Sequence, residues 1–227
     1  MPYKGKTTKL TRHWRFFKRY LSKPSTVGAV GPSSDMLAAA LCEPLCKCAR
    51  PARILEIGAG TGAVTQHIGM LMSDHDELDI CEIEPEFASI LRRDVLSRPV
   101  FASAVEDGRV RLLEMPVQDL SESRRYDFVV SGLPLTVFEL RDVRNVFSVI
   151  RRCLKPGGIL SYFEYVGMRR TSRLLSVGKS RRRIRMVSAY LSKRIRNHQI
   201  DRRTVLMNLP PAHARHLRFD RTPVLSS

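Results

Sequence analysis

No stretch of this chain approaches the roughly 18 uninterrupted apolar residues that a membrane-spanning helix requires. Nor does the basic N-terminus lead into a continuous apolar core of the kind a secretory signal carries. Both absences fit a cytosolic protein. Paired C-x-x-C spacing is missing as well: Cys42, Cys46 and Cys48 cluster together, while Cys81 and Cys153 stand in apolar surroundings. That pattern disfavours zinc and predicts buried, reduced thiols with no metal. Acid is absent from two long stretches. Residues 1–23 hold no Asp or Glu, and residues 167–196 hold none against eleven Lys or Arg. No internal repeat or low-complexity linker divides the 227 residues, so they predict one sizeable α/β domain with appendages rather than two domains.

What the chain has in excess is positive charge. Its 39 Lys+Arg against 22 Asp+Glu give +17, a balance that implies an anionic partner, either nucleic acid or an acidic membrane surface. In the first acid-free stretch Leu10, Trp14, Phe17 and Leu21 recur on one helical face. Arg12, Arg15, Lys18 and Arg19 occupy much of the other, and Pro24 ends the helix. Aromatic residues opposite cations suit a helix lying in a lipid interface, and equally a helix docked on its own domain with a solvated basic back. In the second stretch Leu174, Leu175, Val177, Ile184, Val187, Leu191 and Ile195 are interleaved with cations. One or two amphipathic basic helices, interrupted near Gly178, are expected there.

The most informative segment is Arg53–Gly62, RILEIGAGTG. Ile54, Leu55 and Ile57 read as a buried parallel strand that runs into a glycine turn and then a helix from Ala63. Gly58, Gly60 and Gly62 permit positive φ and close approach of the backbone to a ligand at a helix N-terminus. Glu56 stands just before the first glycine, where a carboxylate can accept an ammonium. Glu82 ends a second apolar strand about one βαβ half-unit later, where a carboxylate can bind a ribose diol. This is the arrangement of a nucleoside-ligand site.

Downstream the pattern alternates: strand Leu78–Ile83, helix Pro85–Leu96, strands Val110–Leu113 and Tyr126–Val130, helix Val143–Leu154, a turn over Lys155–Gly158, and strand Ile159–Val166. Upstream, a helix from Met36 to about Cys46 is capped by Ser33, Ser34 or Asp35. Such alternation predicts a doubly wound, mostly parallel sheet. Ligands in such sheets bind at the carboxyl ends of strands, so SGLPL (Ser131–Leu135), after the fourth strand, should face the reacting group. Tyr165 is either a ring at a strand end or a core tyrosine. His213 and His216, lacking a Cys or acidic cluster, read as surface histidines.

E-I-G-A-G-T-G together with Glu82 resembles the first two motifs of class I S-adenosylmethionine-dependent methyltransferases. The segment V-G-A-V-x-P-S-S behind an aromatic-basic helix, S-G-L-P, an aromatic strand ending near Tyr165, and N-L-P-P-A within Val205–Ala212 resemble the bacterial phospholipid N-methyltransferases. That family is related to ribosomal RNA adenine dimethylases. The resemblance extends from Phe16 to about Phe219. It implies a Rossmann-like fold with a seven-stranded, mostly parallel sheet and helices on both faces. It divides the chain into a membrane-binding, cofactor-covering segment 1–50, a methyltransferase domain 51–219 with a basic helical insertion at 167–200, and a tail 220–227.

The cofactor implied is S-adenosylmethionine, with Glu56, Gly58, Gly60, Gly62 and Glu82 around it. Ser33 and Ser34 are placed near its methionine end, Ser131 also contacts it from the segment facing the methyl group, and the backbone N–H of Val117 lies near its adenine. Where the family carries Asp-Ala, this chain has Pro116-Val117, so an adenine-binding carboxylate is missing unless Asp119 replaces it. Backbone groups of Ser131, Gly132 and Leu133, together with Tyr165, are the candidates for holding the methyl acceptor. Glu164 is a candidate base. The activity implied is N-methylation of phosphatidylethanolamine and its methylated intermediates towards phosphatidylcholine, by a monomer bound peripherally to the inner face of the cytoplasmic membrane through Trp14, Phe17, Leu21 and basic residues. An ornithine lipid is the alternative acceptor. An RNA adenine methyltransferase is the reading from a different class, in which phosphate contacts explain the charge. It is disfavoured because SGLPL offers neither the amide nor the aromatic that would grip and stack a base.

Overall fold

Period-two alternation along the central strands sends apolar side chains to both faces of one sheet, and each face is covered by helices. The computed structural model describes residues 32–166, 179–208 and 210–219. In order come α1 (Pro32–Cys42), a 3₁₀ turn (Glu43–Lys47), β1 (Arg53–Ile57), α2 (Ala63–Leu71), β2 (Glu77–Cys81) and α3 (Pro85–Ile90), which continues as a π-helical turn (Leu91–Val95). Then follow α4 (Pro99–Glu106), β3 (Val110–Leu113), β4 (Tyr126–Ser131), α5 (Leu140–Cys153), β5 (Leu154–Tyr165), α6 (Lys179–His198), β6 (Gln199–Val205) and β7 (Ala212–Arg218). The seven strands lie in the order β3-β2-β1-β4-β5-β7-β6. The first five run parallel, and β7 is antiparallel to both β5 and β6. Strand order reverses between β1 and β4, which makes their carboxyl ends the switch point where ligands bind such sheets.

On one face Ile54, Phe128, Val130 and Phe163 pack with Leu41 of α1, Ile68 of α2 and Phe101 of α4. On the other, Leu55, Val129, Leu160 and Tyr162 meet Val143, Val146, Phe147 and Ile150 of α5 and Val187 and Leu191 of α6. Helix α5 buries its apolar stripe completely and leaves Arg141, Arg144, Arg151 and Arg152 exposed.

Several sequence expectations change here. Helix α4 was not foreseen, although Pro99 at a first-turn position and the spacing of Phe101 and Ala104, both buried, are the signals for it. Pro156-Gly157-Gly158 does not end a separate turn. It is a register shift inside a single twelve-residue β5, with Gly157 at φ +79°. Ser33, Ser34 and Asp35 fall in the first turn of α1 rather than at its cap, because Pro32 already begins the helix. His216 is not a surface histidine. It is 1% exposed, with Nδ1 2.7 Å from Ser161 Oγ, and desolvation lowers its pKa. The cause is tertiary: His216 lies on the same side of β7 as Ala214, the side packed against Leu41 of α1 and Leu45 of the 3₁₀ turn, whereas His213 on the other side stays half-buried. Of the cysteines, Cys42, Cys81 and Cys153 are buried as expected, but Cys46 is exposed; all five are free thiols. Trp14, Phe17, Leu21 and residues 167–178 lie outside the described residues, as do 220–227.

Candidate active site

Three strand ends are tied together at the switch point. The Gly58 N–H donates to Cys81 O at 2.8 Å and the Gly132 N–H to Ile57 O at 2.9 Å, so the ends of β2, β1 and β4 form one rim. The glycines serve different needs. A Cβ on Gly58 would stand 2.6 Å from Leu133 Cδ2, and one on Gly62 would stand 2.7 Å from Val95 Cγ2. A Cβ on Gly132 would meet Gly58 O at 2.4 Å. These three make room for protein. Gly60, at φ +58°, is different: a Cβ there would meet nothing within 4 Å. Its left-handed backbone favours glycine, as at Gly108 and Gly157, and the space beside it is open enough for a ligand to approach the backbone.

Two carboxylates lie beneath this loop. Glu56 is 1% exposed and accepts the Thr65 hydroxyl at 2.7 Å. Burial, opposed by that hydrogen bond and reinforced by the nearby Glu82, pushes its pKa up to about 8. A buried carboxylate so destabilised in its charged form gains most from a cation brought to it. Glu82, also 1% exposed, receives the Gly60 N–H on Oε2 at 2.8 Å and the Glu84 N–H on Oε1 at 2.9 Å. It therefore shapes the glycine loop. Each carboxylate oxygen retains a second lone pair for a hydroxyl. Thr65 and the hold of Glu82 on Gly60 were not foreseen. An oxygen-bearing residue one helical turn past the glycines is the signal that pointed to Thr65.

Val117 opens a 3₁₀ turn (Val117–Asp119) after β3 and is buried, and Asp119 ends the same turn. Ser131 is fully buried, its Oγ accepting the Leu133 N–H at 3.3 Å. Leu133 and Leu135 are buried as well, so what SGLPL can offer a ligand is backbone. Tyr165 stands half-buried at the carboxyl end of β5, its ring edge-on to Phe163 at 5.2 Å. It shares the Phe163 face, opposite Tyr162. Glu164 does not serve as a free base: it is 4% exposed and accepts Arg215 Nε at 2.8 Å. Arg183 of α6 was missed by the sequence reading. It donates to the carbonyls of Val137 and Phe138, bracing the loop that follows SGLPL. Ser33 and Ser34 belong to α1, but their side chains lie outside the described residues. The structure thus brings Glu56, the glycine loop, Glu82, Ser131, Gly132 and Leu133 to one rim.

Residues 54–158 match a family model described as a methyltransferase domain. Over 105 residues the chain is 35% identical to the ornithine lipid N-methyltransferase of Singulisphaera acidiphila, covering 46% of this chain and 53% of that protein. This is the class I methyltransferase fold. Among solved structures, the 1,6-didemethyltoxoflavin-N1-methyltransferase of Burkholderia thailandensis, with bound 1,6-didemethyltoxoflavin and S-adenosylhomocysteine, aligns with a TM-score of 0.63 at 17% identity over 97% of this chain and 94% of that one. The N-methyltransferase NodS of Bradyrhizobium japonicum WM9 in complex with S-adenosylhomocysteine gives 0.62 at 14%, over 92% and 99%. At such identities the likeness carries the fold alone. The chain spans about half the length of the curated relatives it matches.

Proposed function

We propose that this methyltransferase domain uses S-adenosylmethionine to methylate the amine of a membrane lipid, with an ornithine lipid as first candidate and phosphatidylethanolamine as second. The observation that carries the reading is the 35% identity over 105 residues to an ornithine lipid N-methyltransferase. The site fits the cofactor. Glu56 would take its ammonium, Glu82 its ribose hydroxyls, and the open side of Gly60 its close approach. Bound there, S-adenosylmethionine supplies an electrophilic methyl on a sulfonium.

What the protein's own residues contribute is position. An amine must be held with its lone pair about 3 Å from that methyl, and in this reading the backbone of Ser131–Leu133 at the rim, with Tyr165 at the end of β5, would hold it. Positive charge passes to nitrogen as transfer proceeds, so carbonyl oxygens and an aromatic face favour the product side. With Glu164 engaged by Arg215, the ammonium gives up its proton to solvent before attack, and backbone carbonyls only accept hydrogen bonds from the amine. An RNA acceptor is disfavoured because SGLPL places buried Leu133 and Leu135, rather than a stacking aromatic, beside the rim.

The chain is also proposed to work as a monomer at the inner face of the cytoplasmic membrane, with Trp14, Phe17 and Leu21 in the interface. No described helix is long and apolar enough to cross a membrane. The test is incubation with labelled S-adenosylmethionine and ornithine lipid, phosphatidylethanolamine or RNA, each in separate detergent-buffered reactions. Label in an amine lipid supports the reading, and label in RNA alone overturns it. Trp14, the sole tryptophan, should shift its emission to the blue on adding anionic vesicles, and Phe17→Glu should remove that shift while sparing cofactor binding.

A further inference from the structure

Among the described residues, three buried side-chain polar atoms lack a hydrogen-bond partner: Arg125 Nε, His216 Nε2 and Gln118 Oε1. Two of them stand away from the rim. Arg125 precedes β4 at the amino edge of the sheet, with Nε 3.7 Å from Asp79 Oδ2. His216 lies across from Ser161 on β7, two strands beyond β4. Gln118 is different, because it belongs to the 3₁₀ turn that follows β3 at the carboxyl edge. A buried acceptor without a donor is uncommon and asks for a partner.

The strand order decides what that turn faces. Glu56 stands on β1, Glu82 just after β2, and β3 is the next strand outward. Neighbouring strands lie about 4.8 Å apart. Base and sulfonium arm leave opposite sides of a ribose ring. A cofactor with its ammonium at Glu56 and its ribose at Glu82 therefore brings its base over the carboxyl end of β3. There the Glu82 N–H donates to Leu113 O at 3.1 Å, which ties the end of β3 beside that carboxylate. Ile83 and Met115, partly buried against the cluster that contains Val117, offer apolar surface to the faces of a flat ring. In adenine the ring nitrogens accept hydrogen bonds and the exocyclic amino group donates, and an amide side chain suits that edge. Gln118 is half-buried as a residue, so it lines an opening rather than the core. Neither neighbour is placed as well: Pro116 has no polar side-chain atom, and Asp119 is exposed at the far end of the turn.

We propose that Gln118 reads the adenine of S-adenosylmethionine, its Oε1 accepting an N–H of the 6-amino group, and so supplies the acceptor that Pro116-Val117 lacks. The assignment rests on the cofactor lying along Glu56 and Glu82, and is indifferent to which amine is methylated. The probes are S-adenosylhomocysteine and its 6-deamino analogue, with hydrogen in place of the amino group, titrated calorimetrically into the full chain. The unmodified chain should prefer the amino compound by about ten-fold, the size of one hydrogen bond to a buried acceptor; this comparison needs no variant to fold. Gln118→Met keeps the length of the side chain and removes the acceptor. It should weaken S-adenosylhomocysteine by about ten-fold and leave the deamino analogue unchanged, so that the preference disappears. The thermal midpoint of the free protein should hold or rise, because the orphaned oxygen is gone. Gln118→Glu retains an acceptor and should retain the preference, while Glu82→Ala should weaken both ligands by one factor. If the unmodified chain does not distinguish the two ligands, or Gln118→Met weakens both equally or neither, the assignment is overturned. If Glu82→Ala spares both ligands while Gln118→Met abolishes the preference, the placement of the ribose fails and Gln118 keeps its role.

Discussion

Charges on the two sides of this molecule have different partners. On the β3-β2-β1 side, buried carboxylates are answered from within the chain: Asp76 by Arg50 and the Ala52 N–H, Asp79 by Arg111 and the Tyr126 hydroxyl, Glu82 by the Gly60 and Glu84 N–H groups. On the α5–α6 face, Arg144, Arg151 and Arg194 rest on aromatic rings. A charge satisfied internally is explained by folding, because leaving it unpaired in the interior is costly. Cations laid on rings at the surface need no such partner, because water still solvates them. Glu56 is the exception on its own side. Its carboxylate has Thr65 as its side-chain partner, and burial holds its pKa near 8.

The sharpest break in this comparison is at the glycines. Gly60→Val should reduce S-adenosylmethionine affinity more than about 100-fold while circular dichroism stays native, since its side chain meets no protein atom within 4 Å. The left-handed backbone there adds roughly 1–2 kcal/mol of strain. Gly62→Val should instead lower the unfolding midpoint, because its Cβ collides with Val95 and Leu91. If both variants fail only in folding, the glycine loop is packing and nothing more.

Glu82→Ala should follow, weakening the cofactor by about 10- to 100-fold, because charge-assisted hydrogen bonds are worth roughly 1.5–3 kcal/mol. Isothermal titration calorimetry checks it. Unchanged affinity would leave Glu82 as a brace for Gly60 alone.

Next in size is the pH dependence set by Glu56. Without cofactor the carboxyl is mostly protonated at neutral pH, and an ammonium beside it favours the ionised form, so binding releases a proton. Affinity should rise by roughly ten- to fifty-fold from pH 6 to pH 8. Without ligand the sign is opposite. The raised pKa means that the folded state binds the proton more tightly than the unfolded one, so stability falls as pH climbs from the ordinary carboxylate range through about 8. Glu56→Gln should flatten both profiles, and calorimetry in buffers of different ionisation enthalpy reads the proton directly.

The smallest effect is expected at the turn joining β6 to β7, where Leu206 and Met207 are exposed. Leu206→Ser/Met207→Ser should cost roughly three- to ten-fold in affinity for anionic vesicles, less than full burial of two apolar side chains would give, and should leave the thermal midpoint unmoved.

Much of the cofactor half was legible in the sequence because its signals are local. A strand running into glycines needs only neighbours in the chain to declare itself, and an acidic residue at the next strand end follows from βαβ length. Hence the sheet class, the positions of Gly58, Gly60 and Gly62, and the placement of Glu56 and Glu82 could be read directly. What local pattern does not hold is which side chain another element will cover. His216 looked like a surface residue until α1 packed over its side of β7. Glu164 looked like a base until Arg215 arrived from the neighbouring strand. The three glycines looked equivalent until Leu133 and Val95 filled the space beside two of them, and Arg144 of α5 met the Tyr190 ring only when α6 packed beside it. Composition determined that the chain carries a large excess of positive charge. Only the tertiary structure decided where its positive charge stays uncancelled, because neutralisation depends on contacts between residues far apart in sequence.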